Sequence, residues 1–247
     1  MRRRDLLITA GALLLVWQAA AMLLDLPILP TPLVVGAALV DQTLHKDLAL
    51  HFLASTWRVV ASTLLSIGLA APAGLALGQS KKANALLSPL IYILYPIPKV
   101  VFLPLLLLFF GIGDLSKILI IFLILFFQIL VLVRDQAAAL RPELILSVRS
   151  LGAGRRALFR YVYLPASLPG VLTALRQSIG TAVAVLYVAE VFATQLGLGY
   201  YIYFQGSTLL NYPAMYAGIV AMSLLGLALY FLVDWLEKRL CAWQTRS

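Results

Sequence analysis

The stretch Arg141 to Gly170, RPELILSVRSLGAGRRALFRYVYLPASLPG, is a basic, amphipathic segment in the middle of a chain otherwise made of long apolar runs. Leu144, Val148 and Leu151 fall at i, i+4 and i+7, which places them in one apolar stripe of a short helix, with Glu143, Ser147 and Arg149 on its other faces. Pro142 suits the first turn of that helix and Gly152 its end. A second helical stretch from Arg155 to Tyr163 carries Leu158, Phe159 and Val162 on one side and Arg155, Arg156 and Arg160 around the rest; Pro165 is expected to break it. Such a helix-glycine-helix elbow is too polar to enter a bilayer, yet its apolar stripe needs a cover. Either it lies on anionic lipid headgroups, or it is a knob that sits in the groove of a soluble partner.

Composition decides what surrounds the elbow. Of 247 residues, 62% are hydrophobic and 12% charged, and the mean hydropathy is +0.97. A soluble domain is closer to half apolar and a quarter charged, so this is an integral membrane protein. The net charge of +9 is confined mostly to particular loops, which points to membrane topology and away from nucleic acid. Cys241 is the single cysteine, which excludes an internal disulfide or a cysteine metal cluster and reads as inert.

Working outward from the elbow, the chain divides into six apolar runs. The first, Leu6 to Leu24, follows Arg2, Arg3 and Arg4 and is too long for a signal peptide core. Asp25 to His51 is an external segment that is partly an interfacial helix. The second run, Ser55 to Leu77, is interrupted at Pro72; Gly68, Gly74 and Gly78 allow close helix packing, and Arg58 snorkels to headgroups. Pro89, Pro96, Pro98 and Pro104 punctuate the third, Leu86 to Phe110, predicting a short or bent helix and then a crossing one. Broken backbone at membrane depth is tolerated only against protein or a water-filled cavity, which makes Tyr95 to Lys99 a candidate pathway lining. Ile118 to Val133, Leu168 to Val191 and Ala214 to Val233 complete the set. On this count 14 of the 19 basic residues lie on one side, in the two terminal segments, the Lys81-Lys82 loop and the elbow. The expectation is therefore six spans with both termini in the cytoplasm and the chain as a single domain, residues 1–247.

Ionisable side chains at bilayer depth cost roughly 2.5–3.5 kcal/mol on insertion scales and call for a role. Lys99 and Arg176 read as a cationic patch drawing an anion into the pathway, or as side chains that snorkel or pair with an acid such as Glu190. Glu190 reads as a gate or a helix-packing partner, because a carboxylate on an anion's route repels it. Pro96, Pro98 and Tyr187 complete the candidate pathway; the tyrosines at 187, 200, 201 and 203 otherwise form an interfacial belt. His45 and His51 are too few for a metal site. No Gly-Lys-Ser/Thr phosphate loop occurs, so the chain is not expected to bind ATP in that manner.

Residues 152 to 165 carry a resemblance. Gly152, nine residues, then Val162-Tyr163-Leu164-Pro165 resembles the signature loop of ABC-importer membrane subunits, in which Glu-Ala-Ala, three residues, Gly, nine residues, Ile-x-Leu-Pro forms the coupling helix. Leu146-Ser147-Val148 stands where Glu-Ala-Ala is usual. Pro98, Pro104, FFGIGDLSK (Phe109 to Lys117), Leu175-Arg176, Ala189-Glu190 and GLGYYI (Gly197 to Ile202) extend the likeness to the subgroup that handles nitrate, sulfonates, taurine and bicarbonate. The resemblance implies an all-α, six-helix permease of the type I importer fold in a bacterial inner membrane, with a cytoplasmic coupling loop at residues 141–165. It implies ATPase-coupling roles for Leu146, Ser147, Val148, Leu151, Gly152, Ala153, Phe159, Leu164 and Pro165. It further implies a homodimer clasping two ATPase subunits, which use ATP and Mg, and an external binding protein that delivers substrate; this chain binds no cofactor. Related permeases carry vitamin precursors. An ion-coupled secondary transporter is the competing class, and it usually needs several intramembrane carboxylates.

Overall fold

The third apolar run is the clearest case of sequence dictating shape. In the computed structural model, which describes residues 3–192 and 194–242, α4 (Lys81–Leu94) and the pair formed by a 3₁₀ turn (Lys99–Phe102) and α5 (Leu103–Phe110) meet at a bend of 75°. Pro96 and Pro98 cannot donate to a helix and restrict the residues before them, so the chain changes direction there. The remaining helices are α1 (Arg3–Leu24), α2 (Pro32–His45), α3 (Leu48–Gln79), α6 (Asp114–Ala138), α7 (Pro142–Ser150), α8 (Arg155–Leu158), α9 (Leu164–Val191), α10 (Leu198–Tyr203) and α11 (Tyr212–Leu240). No strand occurs among the described residues. α3, α6, α9 and α11 are long and apolar enough to cross a membrane, and the bent pair meets the same measure taken together, as a broken span or a re-entrant loop. The apolar part of α1, Ile8–Leu24, falls short of the ~20 residues of a standard span. Arg2 and Arg246, which entered the charge count, lie outside the described residues.

Two expected breaks are absent. α3 runs unbroken through Pro72, and the helix that begins in the elbow continues through Pro165 and Pro169 as one 36-residue rod, Arg156–Val191. The local reason at Pro165 is a π-helical turn over Phe159–Tyr163, where the Leu164 N–H reaches back to the Phe159 carbonyl. Widening the helix just before a proline relieves the clash of its ring with the carbonyl four residues back.

The chain forms two compact units. One comprises residues 1–56 and 190–225, the other residues 57–189 and 226–247. In the first, the Trp17 indole donates to the Pro30 carbonyl at 3.1 Å and its ring stacks on Tyr216 at 5.8 Å. In the second, α3 packs on α6 through Gly74 and Gly78: a Cβ at Gly78 would stand 2.6 Å from both the Arg134 carbonyl oxygen and the Ala137 Cβ. That four-residue spacing of small side chains lets two backbones approach where no hydrophobic drive exists between helices in lipid. Gly68 opens onto space and has no such role. Leu175, Ile179 and Val233 form a small buried cluster with Ile67, Val183 and Leu229 packed against it.

Candidate functional site

The first half of the elbow has the form read from its residues. Pro142 opens α7 at its first position, and Gly152 follows the helix at φ +81°, its N–H bonded to the Arg149 carbonyl at 3.0 Å. Only glycine takes this left-handed conformation without cost. The apolar stripe is split. Val148, with Ile145, turns half-buried toward the protein, whereas Leu144, Leu146 and Leu151 stay exposed, Leu151 by 85%. Phe159 and Leu164 are exposed as well; Ser147 is exposed, and Ala153 and Pro165 are half-buried. The nine residues to which the resemblance assigns coupling thus lie on one short stretch, with four large apolar side chains uncovered.

The candidate pathway is partly assembled. Pro98 and Lys99 line a cavity of about 360 Å³ together with Tyr95, Phe127, Gln128 and Thr181. Pro96, Arg176, Tyr187 and Glu190 are not among its described lining residues. Lys99 does not present a free cation there: its ammonium donates to the carbonyls of Leu94 (2.9 Å), Tyr95 (2.9 Å) and Ile97 (3.1 Å) and lies 4.6 Å from the centroid of the Phe127 ring. An ammonium has three donors, so the carbonyls at and just past the end of α4 use all of them. Arg176 pairs with Asp234 at 3.3 Å and Glu237 at 3.0 Å on α11, so its charge is already compensated, and by acids other than Glu190. Tyr187 is exposed on α9. Lys99→Met is expected to lower the melting temperature of the purified protein, because it removes three charge-assisted hydrogen bonds that hold the carbonyls at the bend. Unchanged melting with selectively weakened uptake of an anion would return Lys99 to the role of a free charge.

Several buried polar groups escaped the reading of the sequence. Arg58 does not snorkel: it is 3% exposed and pairs with Asp114 at 2.7 Å. Lys117, fully buried, donates to the carbonyls of Ile112 (2.5 Å) and Gly113 (3.0 Å) and holds the glycine turn before α6. In the first unit, Glu190 is fully buried and accepts from the Ser55 hydroxyl at 2.8 Å and from the Gly199 N–H at 2.9 Å. Ser55 in turn accepts from the Leu198 N–H at 2.8 Å. His51 Nδ1 lies 3.0 Å from both the N–H and the carbonyl oxygen of Gly197, and so bonds that residue in either tautomer. Together these tie the GLGYYI segment to α3 and to the end of α9. Tyr201 donates to Gln42 at 2.8 Å, and burial, with Asp41 and Asp47 nearby, pushes its hydroxyl up to about 12. The signal was present in the spacing: His51, Ser55, Arg58, Ser62 and Ser66 recur every three to four residues on one face of α3, and all five are buried. A polar stripe on an apolar helix faces protein, not lipid.

Among the described residues no group of three or more His, Cys, Asp or Glu is placed to hold a metal ion. Cys241 is buried, and that burial, with Glu237 close by, pushes its thiol up, away from the reactive thiolate.

Long apolar helices with a buried polar seam, joined by an elbow that carries uncovered apolar side chains, define an all-helical membrane transport subunit. The chain belongs to the family described as binding-protein-dependent transport system inner membrane component, which matches residues 49–241. It is 32% identical over 246 residues to the taurine transport system permease protein TauC of Escherichia coli K12, covering 95% of this chain and 88% of that one. It is 28% identical over 237 residues to the formylaminopyrimidine transport permease protein ThiX of Halalkalibacterium halodurans, covering 95% and 94%. Among solved structures, a chain of the inward-facing MetNI methionine ABC transporter superposes with a TM-score of 0.67 at 21% identity, over 76% of this chain and 93% of that one. The fold is that of a type I ABC importer permease, as the elbow's resemblance implied.

Proposed function

We propose that two copies of this chain form the translocation pathway of an ATP-driven importer, with the elbow at residues 141–165 docking a cytoplasmic ATPase on each copy and an external binding protein delivering the solute. The observation that carries this reading is the elbow itself: a glycine-hinged pair of short helices whose Leu144, Leu146 and Leu151 side chains remain uncovered. Family membership and the imbalance of basic residues support six spans, α1 included, with both termini and the elbow in the cytoplasm. ATP-driven closure of the ATPases would draw the elbows together. The continuous rod Arg156–Val191 would transmit that displacement directly from the elbow into the membrane. The cavity then switches between inward- and outward-facing states, a rigid-body change biased by differential affinity for the two.

For the substrate, we infer a small anion or zwitterion of the nitrate, sulfonate, taurine and bicarbonate group, on the likeness to TauC. The likeness to ThiX favours a vitamin precursor as the second reading. Lys99, Pro98 and the cavity they line remain the proposed pathway, with Lys99 shaping it and not binding the anion directly. Reconstitution into proteoliposomes tests the proposal: uptake is expected only with the ATPase, ATP-Mg and the binding protein all present. Solute movement by the purified chain alone, or an elbow that labels from outside the cell, overturns it.

A further inference from the structure

Between the end of α3, the start of α4 and the elbow lies a cavity of about 580 Å³ that the transport reading leaves unused. Lys81, Lys82 and Arg149 line it, with Ser80, Gln79 and the Tyr163 side chain, and no acid is among its described lining residues. Ser80 caps α4 by accepting from the Ala83 N–H at 3.2 Å, which leaves the first-turn amides of Lys81 and Lys82 without an acceptor inside the helix. Cationic side chains and a helix N-terminus favour the same occupant, one rich in acceptor oxygens and negatively charged.

We propose that this cavity binds a phosphate ester, bridging the N-terminus of α4 to Arg149 on α7. The cavity opens where the apolar run of α3 gives way to paired lysines, the depth at which a bilayer presents its headgroups. The phosphate therefore comes either from an anionic phospholipid or from a soluble phosphate compound. Either would fasten the elbow to the rest of its unit and set how freely α7 moves.

The test uses the full-length chain, purified without any ATPase, so it stands whether or not the transport reading does. Phosphatidylglycerol carried over from phosphatidylcholine/phosphatidylglycerol vesicles is counted by native mass spectrometry, and inorganic phosphate is titrated calorimetrically. K81Q/K82Q is compared with R141Q/R156Q, a change of equal charge at elbow positions that do not line the cavity. Binding of at least one probe is expected to weaken roughly tenfold or more in K81Q/K82Q and little in the control. Loss confined to the lipid assigns a headgroup; loss of inorganic phosphate assigns a free phosphate compound. Equal behaviour of the two double variants with both probes overturns the site. So does unchanged binding of both probes in K81Q/K82Q.

Discussion

Gly152→Val is expected to cut ATP-driven uptake roughly tenfold or more while the ATPase continues to hydrolyse ATP and the protein accumulates normally in the membrane. The effect comes from the backbone: no atom lies within 4 Å of a Cβ built on Gly152, so space is available, but φ is +81°. A β-branched residue held there carries strain of about 1–3 kcal/mol. At about 1.4 kcal/mol per factor of ten, that depopulates the elbow geometry in which the exposed face of α7 is set. The conformational account also makes an ordering. Gly152→Asn, which tolerates the left-handed region, should retain most transport, Gly152→Ala less, and Gly152→Val least. Equal loss in all three variants would point to a contact made by the glycine itself, and full transport by Gly152→Val would remove the elbow from the mechanism.

Glu190→Leu should release the GLGYYI segment. Its carboxylate accepts from the Ser55 hydroxyl and the Gly199 N–H in a fully buried setting, and each donor left without an acceptor costs about 1–3 kcal/mol. Hydrogen exchange at Leu198 and Gly199 is expected to accelerate tenfold or more, with a lower melting temperature for the purified protein. Glu190→Gln keeps one acceptor oxygen and should fall between the two. Unchanged exchange in Glu190→Leu would show that the segment is held by its packing and by His51 and Ser55 alone. The sequence left a gate and a packing partner open for this carboxylate, and two of the groups it accepts from are the Ser55 hydroxyl and the Gly199 N–H.

Much of this was legible beforehand because it rests on rules local in the chain. Apolar run length marks a membrane protein, Pro96 and Pro98 mark the bend in the third apolar run, and Pro142 and Gly152 mark the ends of α7. The misreadings share a cause: Pro72 and Pro165 were expected to break helices, and Arg58 to seek headgroups, because each was judged by its own preferences. For Lys99 and Arg176 the sequence left a free cation, snorkelling and pairing open. A neighbouring π turn accommodates Pro165, carbonyls at and just past the end of α4 engage Lys99, and acids distant in sequence engage Arg58 and Arg176.

What the amino-acid sequence determined by itself is the class of molecule: helices matched to a bilayer, an amphipathic elbow and the glycine that turns it, since hydrophobicity, periodicity and backbone preference are properties of short segments. Which charge meets which partner was decided only by the tertiary structure. A desolvated ion or amide takes whatever complementary group the fold brings within about 3 Å, and that distance is set by the packing of helices far apart along the chain.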